Sequence, residues 1–141
     1  MFILDTDHIG IVQWESEPEY SRLMARFGSH ANDDFFVTVV SLHEEFLGWN
    51  SYISKAKKLD GVVKGYDRFL KILTDFEVSQ ILPFDNKAAH QFAHLRQQKV
   101  RIGTMDLRIA SIALARQMTL LSRNLADFKH VPGLVVEDWT T

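Results

Sequence analysis

The sequence predicts an α/β protein whose mainly parallel sheet of four or five strands is flanked by helices, and two observations predict it. Short runs rich in aromatic and β-branched residues alternate along the chain with longer stretches whose apolar residues recur at helical spacing. The runs are apolar throughout, as strands buried on both faces require. Strand and helix in alternation imply parallel neighbours joined by right-handed crossovers.

Residues 2–4 form the first strand, and residues 7–14 a helix with Asp7 as N-cap. Residues 18–27 form a second helix with Tyr20, Leu23, Met24 and Phe27 on one face, ended by Gly28. Residues 35–40 make a buried strand, and a helix then starts at Ser41 and runs through Trp49. Residues 51–76 keep helical spacing throughout, with Gly61 and Gly65 as the points where this helix divides. Residues 78–82 form a strand stopped by Pro83, and Asp85 caps a helix whose Ala88, Ala89, Phe92, Ala93 and Leu95 face inward. Residues 101–103 are a loop, and residues 104–117 a helix with Ile109, Ala110, Ile112, Ala113 and Leu114 apolar. A strand over 119–122, a single turn over 124–128 and a last strand over 134–136 follow.

With 141 residues, 46% hydrophobic and 24% charged, residues 1–141 read as one globular domain with one core. There is no cysteine, which excludes disulfides, zinc–thiolate sites and thiol nucleophiles. A net charge of -2 gives no global attraction to nucleic acid, so a polyanion has to be held by local Lys and Arg groups and by metal. The apolar opening before Asp5 is too short for a signal peptide, and no window approaches the ~18 apolar residues of a membrane span. The expectation is a cytoplasmic protein with no membrane partner.

In an open parallel sheet the ligand site lies outside the carboxyl ends of the strands, near the reversal of strand order. Four carboxylates fall where a strand or loop hands over to a helix. Asp5 follows the first strand, Glu44 lies one turn into the helix after the second, and Asp106 and Asp127 flank the strand at Leu120-Leu121. Structural alternatives exist for three of them. Ser41-Leu42-His43-Glu44 matches a capping box, Asp106 sits in a first helical turn where the helix dipole favours negative charge, and Asp127 suits a polar turn. Asp5, directly after a buried strand, is desolvated and needs a partner. Two carboxylates ~5 Å apart repel by about 3 kcal/mol at an effective dielectric of ~20. A hard divalent cation offsets that repulsion, and with phosphate oxygens it supports phosphodiester hydrolysis.

Phe2-Ile3-Leu4-Asp5-Thr6, Val40-Ser41-Leu42-His43-Glu44 with Gly48 after it, Gly103-Thr104-Met105-Asp106-Leu107-Arg108-Ile109-Ala110, and Ser122-Arg123-Asn124 with Asp127-Phe128 resemble the PIN-domain ribonucleases, especially the VapC-type toxins. Ile81-Leu82-Pro83-Phe84-Asp85 and Val131-Pro132-Gly133-Leu134-Val135-Val136-Glu137-Asp138-Trp139 are similar to that family too, so the resemblance covers essentially the whole chain. It implies a three-layer α/β/α PIN-like domain and a Mg²⁺- or Mn²⁺-dependent endoribonuclease, the toxin of a type II toxin–antitoxin pair. RNA would be the substrate, a cognate antitoxin the partner, and a homodimer the assembly. Carried over, Asp5, Glu44, Asp106 and Asp127 would be catalytic, with Asp5 and Asp106 the principal metal ligands and Glu44 completing the set directly or through water. Thr6, Ser122 and Asn124 would hold the carboxylates by hydrogen bonds. Of the adjacent Glu44 and Glu45, the spacing from Ser41 and to Gly48 selects Glu44. Residues 16–30 and 51–76 carry no family motif and would form the helices that clasp antitoxin and pack the dimer.

Arg101, Arg108 and Arg123 flank the pocket as candidate RNA contacts, with pairing to the nearby acids as the alternative. His8 and His43 lie near it in sequence, in reach of substrate. His90 and His94 are four apart on one helix, a metal-binding spacing without a third ligand, and read as a solvated face. Lys55, Lys57, Lys58, Lys64 and Lys71 face solvent. Trp14 and Trp49 belong to the core, or mark a partner groove if exposed. Two other functions fit the same residues: a catalytically idle PIN-like scaffold acting through antitoxin and operator binding, and a DNA nuclease on the same fold.

Overall fold

The computed structural model describes residues 1–141. Strands β1 (Phe2–Leu4), β2 (Phe35–Thr38), β3 (Ile81–Leu82), β4 (Thr119–Leu121) and β5 (Val136–Glu137) form one sheet in the order β3-β2-β1-β4-β5. Every pairing is parallel, with Ile3 opposite Phe36 on one side and Leu120 on the other. Helices α1 (Thr6–Trp14), α2 (Glu19–Phe27), α3 (Val39–Lys55), α4 (Leu59–Glu77), α5 (Asn86–Gln97), α6 (Thr104–Arg116) and α7 (Leu125–Phe128) make the connections. Alternate residues of a strand point to opposite faces. Thus Ile3 and Leu120 join a core with α5 and α6, while Leu4 and Leu121 join one with α1, α2 and α4. These are the three layers, helix on sheet on helix. No helix is long and apolar enough to cross a membrane.

Several boundaries differ from the sequence expectation, each for a local reason. The first helix is capped by Asp5, whose Oδ1 accepts the Thr6 N–H at 2.8 Å, and not by Asp7, whose carboxylate is taken by His8 and the Arg123 amide. The second strand stops at Thr38 because the Thr38 hydroxyl accepts the Ser41 N–H at 3.1 Å and caps α3. Ser41 is therefore inside the helix, and its capping box with Glu44 does not form. The third strand is only Ile81–Leu82, with Val78 86% exposed before it. The last strand is Val136–Glu137 instead of residues 134–136. Asp85 does cap α5, accepting the Ala88 N–H at 3.0 Å, but Ala93 on that helix faces solvent.

The long helical stretch divides at residues 56–58, and α4 runs unbroken through Gly61 and Gly65. Gly65 is buried, and a Cβ there would overlap Ile53 Cγ1 of α3. The glycine lets two helix backbones approach, a packing use that outweighs its low helix propensity. Gly65→Ala is expected to lower the unfolding free energy by about 1–3 kcal/mol through overpacking. Gly10→Ala, in α1 where a Cβ meets nothing within 4 Å, is expected to raise it by about 0.5–1 kcal/mol. Urea denaturation of the two variants reads both, and a stabilised Gly65 variant would contradict the packing.

Candidate active site

Asp5 at the end of β1, Glu44 one turn inside α3 and Asp106 in the first turn of α6 come together. One carboxylate oxygen from each lies within 4.8 Å of the other two. The group sits at the carboxyl ends of β1 and β4, where the strand order reverses. Asp127 is exposed and outside this trio, but it is tied to it through Asn124, whose Nδ2 donates to Asp127 Oδ2 at 3.0 Å and to Asp106 Oδ2 at 3.4 Å.

Each of the three carboxylates is held by a neighbour. Asp5, only 5% exposed, accepts from the Thr6 amide and from the Ser122 hydroxyl, the latter at 2.7 Å. Glu44 Oε1 lies 2.9 Å from Thr6 Oγ1, which is also 2.9 Å from the buried Ser41 hydroxyl. The Asn124 amide donates back to Ser122 Oγ at 3.0 Å, so the loop after β4 is folded against the acid it serves.

Burial pushes Asp5 up to about 7, helped by the charge of Asp7 and opposed by the Ser122 and Thr6 hydrogen bonds. Burial raises Asp106 as well, followed by the charges of Glu44, Asp127 and Asp7. Glu45 is also pushed up to about 7 by burial, but it belongs elsewhere, with Gln13 donating to its Oε2 at 3.3 Å and Asp75 and Lys71 nearby. The adjacent glutamates thus separate, Glu44 joining the trio and Glu45 the α1–α4 contact.

Asp7 and His8 carry a role that the sequence did not reveal. His8 is fully buried, so it does not reach substrate; its Nε2 accepts the Trp139 N–H at 3.3 Å and its Nδ1 lies 2.8 Å from Asp7 Oδ1. That acceptor role at Nε2 leaves the ring proton on Nδ1, pointing at Asp7. Asp7 Oδ2 in turn accepts the Arg123 N–H at 2.9 Å. A short His after an acid has no distinguishing spacing, and its partner Trp139 is 131 positions away. His43 is exposed, as are His90 and His94.

Arg101, Arg108 and Arg123 form no ion pair; the arginines that pair with carboxylates are Arg26 and Arg116. Arg101 and Arg123 are exposed, and Arg108 contacts Met105 Sδ. Trp14 is 45% exposed beneath the Arg68 guanidinium, 4.0 Å from its ring, and is not a core residue.

No family model matches the sequence. Ribonuclease VapC2 of Rickettsia felis is 35% identical over 91 residues, which cover 62% of this chain and 63% of that protein. The tRNA(fMet)-specific endonuclease VapC of Salmonella typhimurium is 28% identical over 142 residues, 98% of this chain and 97% of that protein. The structure of VapBC-1 from nontypeable Haemophilus influenzae superposes with a TM-score of 0.76 at 19% identity, over 99% of this chain and 98% of that chain. The chain is similar to VapC-type ribonucleases. The alignment with VapC2 spans a little under two thirds of that relative, and the Haemophilus likeness establishes the PIN fold alone. In this fold the carboxylates meet at the carboxyl edge of an all-parallel sheet, from three separate elements.

The electrostatics have a consequence for stability. In the folded chain Asp5 keeps its proton up to about 7, whereas in the unfolded chain it loses it near 3.8. Between those values the folded state binds the extra proton, so stability is present at the acid end and falls as pH rises toward 7. In EDTA the unfolding free energy is expected to be greater at about pH 5.5 than at about pH 8, with Asp5 contributing about 2 kcal/mol of the difference and Glu45, also raised to about 7, adding to it. Urea titrations of wild type and Asp5→Asn at the two pH values isolate the Asp5 share, and a pH difference unchanged in Asp5→Asn would contradict the burial of an uncompensated Asp5.

Proposed function

We propose that the chain is a divalent-metal-dependent endoribonuclease, the toxin of a type II toxin–antitoxin pair, in which residues 1–141 act as one PIN unit in the cytoplasm. The observation that carries this reading is the Asp5, Glu44 and Asp106 trio, whose mutual repulsion a cation relieves. Hard oxygen donors in this number fit Mg²⁺ or Mn²⁺, with coordination left over for water and a phosphate oxygen. The two curated relatives are named as a ribonuclease and a tRNA endonuclease, which supports RNA over DNA as substrate.

In this reading Asp5 and Asp106 hold the ion and Glu44 joins them directly or through water. When bound, the ion supplies a Lewis acid that lowers the pKa of water and neutralises charge on the phosphate. Thr6 fixes Glu44 through Oε1 and leaves Oε2 to accept the proton of the attacking water. Ser122 orients Asp5, and Asn124 spaces Asp106 from Asp127. Arg108 and Arg123, uncommitted to carboxylates, receive phosphates along the strand, and Arg101, equally unpaired, is the third RNA contact. The water oxygen bonds to phosphorus as the bond to one ribose oxygen breaks, and that oxygen takes up a proton.

Asp5→Asn and Asp106→Asn are each expected to lower RNA cleavage by about 100-fold or more, with circular dichroism unchanged. Cleavage at the wild-type rate in both would sink the assignment. A scaffold without catalysis would show no heat on titration with Mn²⁺, and a DNA nuclease would cut a single-stranded DNA of the same sequence equally well.

The antitoxin has a fitting surface. Leu59, Val63, Tyr66, Leu70 and Leu73 recur along α4 at intervals of four and three residues, and all are at least 53% exposed. Meanwhile Gly65, Ile72 and Phe76 bury the opposite side. An apolar stripe of this period is covered by an amphipathic helix. The relatives solved as VapBC pairs support an antitoxin as its occupant, with a second copy of the chain completing a homodimer elsewhere. Leu70→Glu is expected to weaken the complex with the product of the neighbouring reading frame by about 100-fold while the free variant cuts RNA at the wild-type rate. Size-exclusion chromatography of the co-expressed pair reads the first and a cleavage assay the second; an intact complex would place the antitoxin on another face.

A further inference from the structure

We infer that the hollow beside Asp127 binds one nucleobase of the RNA strand, next to the phosphate held at the carboxylate trio. The inference rests on the reading of the trio as an RNA-cutting site, and it adds a determinant of which sequence is cut.

The hollow opens between the C-terminal half of α5, the loop after it, and the first turn of α6. Its wall is built by a tight reversal. Lys99 is left-handed (φ 60), and the Val100 N–H donates to Leu95 O at 3.1 Å. That turn brings Val100 and Ile102 against α5, where with Phe92 and the buried Leu107 they give the hollow an apolar floor. Arg96 and Arg101 stand exposed at its edge, and neither is paired to a carboxylate. The Arg96 guanidinium lies 5.7 Å from the centroid of the Phe92 ring, so cation and aromatic face are already layered.

Continuity with the trio comes through Asp127, which lines the hollow and shares Asn124 with Asp106. A strand with a phosphate at Asp5 and Asp106 therefore has its neighbouring nucleotide at this opening. An apolar floor with unpaired guanidinia above it matches a base, whose faces are apolar and whose edges carry acceptors. A simple anion has no need of the floor, and an aliphatic side chain has no need of the arginines. An acidic side chain of a protein partner would set another negative charge beside Asp127 and Asp106. A base satisfies the same arginines while adding no charge.

Fluorescence anisotropy of labelled octaribonucleotides of A, C, G and U, in calcium buffer so that binding is read apart from cleavage, tests this with the full chain. Wild type is expected to prefer one of the four homopolymers. Arg96→Ala and Arg101→Ala should each weaken that one by about tenfold and the others much less, with Arg96→Lys failing to restore the preference because an ammonium offers no planar face. Arg116→Ala, at the far end of α6 and paired with Asp85, serves as control. No base preference in wild type, or equal losses on all four homopolymers, would reduce the arginines to general attraction and overturn the inference. Unchanged RNA affinity with weakened antitoxin binding would make the hollow a protein contact and overturn it as well. Loss of cleavage in Asp5→Asn tests the trio separately, so failure of one reading is not failure of the other.

Discussion

The site depends on a three-residue central strand that is paired in parallel on both sides. β1 lies between β2 and β4, and the ladder continues one step past it, with the Asp5 N–H donating to Leu121 O at 2.9 Å. Asp5 is thus fixed by backbone as the strand ends, at a buried point where it also caps α1. The same ladder anchors the neighbouring loop, because the Ser122 N–H donates to Glu137 O at 2.9 Å. A carboxylate and the hydroxyl that holds it are therefore both placed by main-chain bonds, and their meeting costs little side-chain freedom. Parallel pairing throughout sends every strand's carboxyl end to one edge, and that lets α3 and α6 bring Glu44 and Asp106 to the same point.

Fixing acids together in this way works against stability. Each pair of charges at this separation repels by about 3 kcal/mol at an effective dielectric of ~20, while a hydrogen bond to a charged group returns roughly 1.5–3 kcal/mol. Asp5 accepts two such bonds and is still pushed up to about 7. The carboxylates are thus compatible with the fold but not relaxed in it. Around them the chain spends its apolar residues on two tight cores and leaves the α4 stripe uncovered, so its unpartnered surfaces and its strained charges lie in different places.

Much of this was legible in the sequence, because strands and helices here follow local periodicity and because Asp5, Glu44 and Asp106 stand at predictable handovers. The boundary at Thr38 was not, since Thr38 and Ser41 both offer a capping hydroxyl and Val39-Val40 between them reads as strand. By local propensity Gly65 reads as a breaker, whereas its use is set by Ile53 on another helix. The His8 network escaped for the same reason, one partner being at the far end of the chain. Asp127 is the opposite case: its place in a turn was readable, but its exposure and its indirect tie to Asp106 through Asn124 were not.

Asp5 and Asp7 stand two positions apart, yet their surroundings drive them in opposite directions. Burial works to raise Asp7 also, but the hydrogen bonds from His8 and the Arg123 amide outweigh it and hold this carboxyl below the ordinary range. Asp7 therefore stays charged, and its charge is the second cause of the rise at Asp5. A proton taken up by the group settles on Asp5, and a cation is drawn to the field of both. Two carboxylates in one helical turn so divide into a permanent anion and a group that responds to its ligand, a separation set by environment and not by residue type. His8, sealed under Trp139, is what keeps the first of them constant, and the burial that removes it from substrate is the condition for that role.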